Sequence, residues 1–81
     1  MQVAEADVKA FVFLNVEPGQ SPEVLKELIQ VEGVSICYVV LGIYDVVAVV
    51  ESSSVEELKA VVQEKIRKID YVRASMTTIV A

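Results

Sequence analysis

The chain of 81 residues contains no histidine, so its first candidates for acid–base or nucleophilic chemistry are carboxylates and a single thiol. The lack of imidazole excludes a Ser-His-Asp triad, a histidine general base and a histidine metal site. The available acids stand mostly at loops or strand ends: Asp7, Glu17, Glu32, Asp45, Glu51 and Asp70. No cofactor motif accompanies them, and no buried acid–base pair is visible. The sequence therefore predicts a protein without catalytic residues, cofactor or metal.

Cys37 is the one cysteine, which excludes an intrachain disulfide and a cysteine-rich zinc site. It is interpreted as a buried thiol in a reducing cytoplasm, with a redox role as the alternative. The first seven residues are acidic, unlike a signal peptide. The most apolar stretch is interrupted by Gly42 and Asp45 and falls short of the ~20 apolar residues of a membrane helix. We expect a cytoplasmic protein that does not insert into a membrane.

The charge balance argues against direct binding of nucleic acid. Seven basic and twelve acidic residues give a net charge of −5, and the isoelectric point is near 4.5. The basic residues are scattered apart from Lys65, Arg67 and Lys68, so a phosphate-binding footprint is missing.

Hydrophobic patterning predicts the elements that position these residues. Alternation predicts a strand over Val8–Val16, and Ser21 is predicted to cap a helix with Pro22 at its first position. Gly33 is expected to end that helix. Three further strands are predicted over residues 34–41, 45–51 and 72–80, and residues 42–44 form a hairpin in which Gly42 can take positive φ. A capping box at Ser54–Glu57 opens a second helix with an apolar stripe of Leu58, Val61, Val62, Ile66 and Ile69.

The resulting βαββαβ order and a weak repeat between its halves predict an α+β fold. Residues 21–26 resemble residues 54–59, as expected for a ferredoxin-like sandwich with two helices on one face of a four-stranded antiparallel sheet. We expect one domain over residues 8–81, preceded by an N-terminal extension of residues 1–7.

The predicted sheet is apolar on both faces, although helices can cover only one. Apolar residues make up 54% of the chain, and by size scaling a domain this small buries only about 63% of its surface. A second copy of the same sheet is the simplest cover, because a two-fold contact needs one self-complementary surface. The expected dimer interface consists of Phe11, Phe13, Cys37, Val39 and Leu41.

Several short motifs, in order, carry a resemblance to a known family. They are Asn15-Val16-Glu17-Pro18-Gly19, Gly33-Val34, Gly42-Ile43-Tyr44-Asp45 and Thr77-Thr78-Ile79-Val80. On a βαββαβ frame, this order resembles the ligand-binding and oligomerisation (RAM) domain of the Lrp/AsnC transcriptional regulators.

The resemblance implies sheet-to-sheet dimers that associate into an octamer or decamer. It also implies a small effector, usually an amino acid, in clefts between dimers, lined by the hairpin loop and the end of the last strand. Full-length members add a DNA-binding helix-turn-helix, so the sequence is expected to be a stand-alone form, with co-assembly with a DNA-binding paralogue as a further possibility.

The residues implied at the effector site are Gly42, Tyr44, Asp45, Thr77 and Thr78. Backbone N–H groups near Gly42 suit a carboxylate, Asp45 suits an ammonium group, and the hydroxyls donate or accept. The structural alternatives remain open: Asp45 ties the turn, Tyr44 packs the dimer, and the threonines favour a strand. The apolar Leu41 and Ile43 beside them favour an apolar effector such as leucine or methionine, or a closed pocket.

The function predicted from the sequence is a regulatory module that oligomerises and binds an amino acid to influence transcription of amino-acid metabolism. Two alternatives share the frame. One is an ACT-like amino-acid sensor, which pairs sheet edges side by side. The other is a small enzyme of the dimeric α+β barrel type, for which Asp45 would be the residue to test.

Overall fold

The computed structural model describes residues 8–81, which form a four-stranded antiparallel sheet with two helices on one face. The strands are β1 (Val8–Val16), β2 (Val34–Val39), β3 (Val46–Ser52) and β4 (Val72–Ile79). The helices are α1 (Ser21–Leu28) and α2 (Val55–Val61), and α2 continues as a π-helical turn over Val62–Ile66. The sheet order is β2-β3-β1-β4, so the predicted ferredoxin-like βαββαβ fold is confirmed. The expected extension of residues 1–7 lies outside the described residues.

The core lies between the helices and one face of the sheet. Alternate residues of the two central strands point into it, as the period of a strand requires. The fully buried members include Val12 and Leu14 of β1 and Val46 and Val50 of β3. This face assignment agrees with the pattern predicted for β1.

Helix α1 begins without the predicted side-chain cap. Ser21 is already helical, and Gln20 occupies the cap position with no side-chain hydrogen bond. The backbone carbonyl of Gln20 accepts from the N–H of Val24 at 3.1 Å. The proline therefore follows the first helical residue, and the prediction of Ser21 as the cap is wrong by one position.

Helix α2 begins at the predicted cap and then widens. The Ser54 hydroxyl accepts from the backbone N–H of Glu57 at 3.1 Å, whereas the Glu57 carboxylate accepts from Ser53 and does not return to Ser54. One half of the predicted capping box is thus present. Further along, the N–H of Arg67 donates to the carbonyl of Val62 at 2.9 Å, the longer step that defines the π-helical turn.

The ends of the strands differ from prediction mainly at the hairpin between β2 and β3. Strand β2 ends at Val39 rather than at residue 41, although the N–H of Val40 still donates to the carbonyl of Asp45 at 2.9 Å. Gly42 does not adopt the positive φ that glycine allows. The glycines with positive φ are Gly19 and Gly33, and Gly33 at +103° connects the turn after α1 to β2.

Candidate functional site

The face of the sheet opposite the helices, here called the open face, is apolar across all four strands. Strand register aligns its side chains in two rows, because directly paired residues point to the same side. The first row is Tyr38, Val47, Phe13 and Met76, and the second is Ile36, Val49, Phe11 and Thr78. The exposed fractions of Ile36, Tyr38 and Met76 are 41%, 53% and 44%. A patch of this kind on a small domain marks an interaction surface.

The register corrects the expected dimer interface in β2. Phe11 and Phe13 lie on the open face as predicted. Cys37 pairs with Ala48 and Val39 pairs with Val46, and both partners are buried under the helices. The open-face residues of β2 are consequently Ile36 and Tyr38.

Two residues expected at the dimer interface, Leu41 and Cys37, lie outside the open face. Leu41 lies beyond β2, in the hairpin loop of residues 40–45, where its side chain is fully exposed. Cys37 packs partly against the core, and this burial raises the pKa of its thiol above the ordinary value. A raised pKa keeps the thiol protonated near neutral pH, which is the state of an unreactive structural cysteine.

Asp45 fastens the hairpin loop to the end of β1. Its carboxylate Oδ2 accepts from the backbone N–H of Val16 at 2.8 Å, and its own N–H donates to the carbonyl of Leu14 at 2.9 Å. Its carbonyl accepts from the N–H of Val40. The structural role considered for this residue is therefore present in the free chain.

A second polar contact orders the tip of the same loop, and sequence reasoning missed it. The Asn15 side-chain amide donates to the carbonyl of Ile43 at 2.7 Å. The polar Asn15, which follows a run of apolar residues near the end of β1, was the available signal. The contact leaves the neighbouring aliphatic side chains in solvent, since the exposed fractions of Leu41 and Ile43 are 100% and 85%.

Tyr44 reaches from the loop to the open face. Its ring lies 5.4 Å from the ring of Phe13 at 41°, a tilted aromatic pair. Its hydroxyl donates to the Met76 sulfur at 3.4 Å, a weak hydrogen bond. The loop and the first row of the open face consequently form one continuous surface.

The structure brings together only part of the expected effector site. Gly42, Tyr44 and Asp45 share the loop, and Thr78 follows Met76 on the open face. Thr77 pairs with the buried Val12 and so faces the helix side of the sheet. The two threonines therefore belong to different environments.

Two other features limit what the described residues can do. Residues 8–81 hold no group of three or more histidine, cysteine or acidic side chains that could bind a metal ion. Within the same part of the chain, no helix is long and apolar enough to cross a membrane.

This geometry defines a small α+β domain of the ferredoxin-like class with an uncovered apolar sheet face. Residues 9–81 match the family model described as the Lrp/AsnC ligand binding domain. The chain belongs to the Lrp/AsnC family, as the resemblance of its motifs implied. This is a family of transcriptional regulators and not of enzymes.

Individual relatives agree with this membership. An uncharacterised HTH-type transcriptional regulator of Pyrococcus abyssi is 30% identical over 73 residues, which are 90% of this chain and 46% of that protein. The structure of E. coli AsnC has a TM-score of 0.88 at 26% identity, covering 99% of this chain and 57% of AsnC. The structure of the hypothetical protein PHS023 from Pyrococcus horikoshii has a TM-score of 0.85 at 32% identity, covering 91% of this chain and 89% of that protein. The chain spans about half the length of the curated relatives it matches.

Proposed function

We propose that this chain is a regulatory module that assembles through its open face and binds a small amino acid between subunits, thereby influencing transcription of amino-acid metabolism. The observation that carries the proposal is the open face itself, two rows of mainly apolar side chains that neither α1 nor α2 covers. Membership of a family of transcriptional regulators supports the regulatory half of the proposal.

The first element of the proposal is a sheet-to-sheet dimer. A two-fold contact places the same face on both subunits, so one apolar surface covers itself. Burial of ~800 Å² per subunit would give an interface of standard size. We propose that such dimers associate further into an octamer or decamer within the cytoplasm, and that co-assembly with a DNA-binding paralogue would link them to DNA.

The second element is an effector site beside the hairpin loop. Backbone groups near Gly42 are accessible, because the residue is exposed and a methyl group on its Cα would meet no atom of residues 8–81 within 4 Å. Asp45 uses Oδ2 for Val16, and its Oδ1 makes no hydrogen bond to residues 8–81, which leaves an acceptor for an ammonium group. Tyr44 and Thr78 supply hydroxyls on the open-face side.

The side chains beside this loop favour an apolar effector. Leu41 and Ile43 are exposed aliphatic groups on a loop that hydrogen bonds already hold in place. An ordered loop loses less conformational entropy on binding than a mobile one. We therefore expect leucine or methionine to bind in preference to charged or amide amino acids.

Native mass spectrometry of the chain, alone and with a mixture of the twenty amino acids, tests both elements. A complex of eight or ten subunits that gains one amino-acid mass per site is the expected result. A large assembly that gains no mass would overturn the effector element, and a monomer would overturn both.

A pair of threonine variants adds a matched control. Thr78→Val should weaken retention of the amino acid, because it removes the hydroxyl on the open-face side. Thr77→Val changes the adjacent residue on the opposite side of the sheet and should leave retention unchanged.

A further inference from the structure

A groove on the helix side of the sheet lies between α2 and the edge strand β4. Helix α2 packs mainly on β1 and β3, so β4 extends beyond the cover it provides. The groove has a volume of about 340 Å³. Its lining residues are Leu58, Lys59, Val62, Gln63, Thr77 and Ile79. It is separated from the open face by the sheet itself.

The groove combines an apolar floor with an exposed apolar wall. Leu58 and Val62 are buried core residues of α2 and its π-helical extension, whereas Ile79 at the end of β4 is 40% exposed. An exposed aliphatic side chain over a buried apolar floor suits a short carbon chain.

The polar groups around the floor are donors. Lys59 supplies an ammonium group that pairs with no carboxylate within residues 8–81, where the ion pair present is Lys26–Glu23. The Gln63 carbonyl oxygen accepts from Arg67 at 3.0 Å, which leaves the amide NH₂ of Gln63 as a donor. Thr77 adds a hydroxyl, because its pairing with Val12 turns it to this side of the sheet.

None of the acidic side chains in the described part of the chain lines the groove, and this defines the ligand class. An anionic group would meet a cation, an amide donor and a hydroxyl, and charge-assisted hydrogen bonds of this kind are the strong ones. An α-ammonium group would instead lie beside Lys59 without a carboxylate to neutralise it. The lining thus favours a carboxylate and disfavours the zwitterion of an amino acid.

The helix irregularity falls in the wall of the same groove. The π-helical turn begins at Val62, and its characteristic hydrogen bond runs from the N–H of Arg67 to the carbonyl of Val62. Such turns are rare and occur frequently at functional sites. Here the turn carries Gln63, and the arginine that orients this side chain follows directly after it.

We propose that this groove binds a short aliphatic monocarboxylate that lacks an α-ammonium group. Lys59, Gln63 and Thr77 hold the carboxylate, and the exposed Ile79 contacts the carbon chain above the buried Leu58 and Val62. The site lies on the opposite side of the sheet from the proposed amino-acid site, so neither depends on the other. The chain then has separate sites for an amino acid and for a carboxylate without an ammonium group.

The test is an NMR titration of ¹⁵N-labelled chain with 4-methyl-2-oxopentanoate, 4-methylpentanoate and leucine. The two acids without an ammonium group should give saturable shifts at the groove residues, and leucine should bind there at least about tenfold more weakly. Lys59→Gln should raise the dissociation constant of 4-methyl-2-oxopentanoate about tenfold, the loss of one hydrogen bond to a charged group.

Matched variants separate this site from the amino-acid site and from general charge effects. Thr77→Val should weaken binding of 4-methyl-2-oxopentanoate, whereas Thr78→Val and the exposed Lys26→Gln should leave it unchanged. The proposal is overturned by an absence of saturable groove shifts up to about 10 mM ligand. Equal binding of leucine in the groove, or a Lys59→Gln variant with unchanged affinity, would overturn it as well.

Discussion

Asp45, which is proposed to bind an effector, already has a role in the fold. The Asp45 carboxylate accepts a hydrogen bond from the backbone N–H of Val16, a residue only 6% exposed, so loss of the carboxylate leaves a poorly solvated donor without its partner. An unpaired buried donor costs about 1–3 kcal/mol. The hydrogen bond between Val16 and Asp45 therefore contributes to the stability of the fold. The proposed role of Asp45 in effector binding is additional to this structural role.

Replacing Asp45 with alanine should lower the free energy of unfolding by about 1–3 kcal/mol, because it leaves the Val16 N–H unsatisfied. Urea unfolding followed by circular dichroism measures this change. Asp45→Asn retains a carbonyl acceptor and should recover most of the loss. The exposed Glu56→Ala is the control, and an equal effect of both alanine variants would contradict the structural role.

At the scale of elements, the buried face of a strand was predicted well where polar residues mark the opposite face, and less well elsewhere. In β1, Lys9 and Asn15 mark one face, so the buried set could be read from the alternation. Strand β2 offers no such mark, because Ile36 and Tyr38 are as apolar as the residues of the opposite face. An irregular pairing between Val34 and Ile36 then shifts its register, which local sequence does not reveal.

The turn before β2 depends on a glycine, whereas the hairpin after it does not. A methyl group on Gly33 would meet the carbonyl oxygen of Glu51 at 3.2 Å, and its φ of +103° is strained for any other residue. Gly33→Ala should therefore destabilise the chain by roughly 1–3 kcal/mol. Gly42→Ala, with open space and no positive φ, should change stability by less than about 0.5 kcal/mol. Thermal unfolding of both variants checks the contrast.

The two helices should respond differently to loss of a serine hydroxyl at their N-termini. Ser54→Ala removes the acceptor for the N–H of Glu57 and should cost about 1 kcal/mol. Ser21→Ala removes a hydroxyl that does not cap α1 and should change stability by less than about 0.5 kcal/mol. Chemical denaturation measures both, and a larger effect at Ser21 would contradict the observed position of the helix start.

At the scale of the whole molecule, strand and helix patterning predicted the βαββαβ fold, and the order of the short motifs predicted the family, whereas the helix-covered face of β2 was predicted wrongly. The sequence could not indicate which of Thr77 and Thr78 shares the open face with Tyr44, because the two residues are equivalent in sequence and lie on opposite sides of the sheet. The groove beside α2 was also beyond prediction, since it depends on how far the helix covers the edge strand.

A charge on the open face should break the proposed dimer. Ile36→Asp would place an unpaired carboxylate between two apolar sheets and should raise the dimer dissociation constant at least about 100-fold. Ile29→Asp alters an exposed isoleucine that follows α1 and should leave the dimer dissociation constant unchanged. Sedimentation velocity across a concentration series distinguishes the variants. Equal association of both would contradict assembly through the open face.

The double-sided apolar character of β3 has a consequence for how accurately the chain folds. The side chains of Val46 to Val50 do little to specify the register of β3, because a shift of one residue replaces one set of aliphatic groups with another. The polar ties, which are hydrogen bonds at the two ends of the strand, help to specify the register instead. Asp45 bonds to β1 at one end, and the N–H of Glu51 bonds to the carbonyl of Gly33 at the other. Substitution of Asp45, which removes its carboxylate, or of Gly33, whose φ is positive, should therefore produce misaligned, aggregation-prone chains as well as less stable ones.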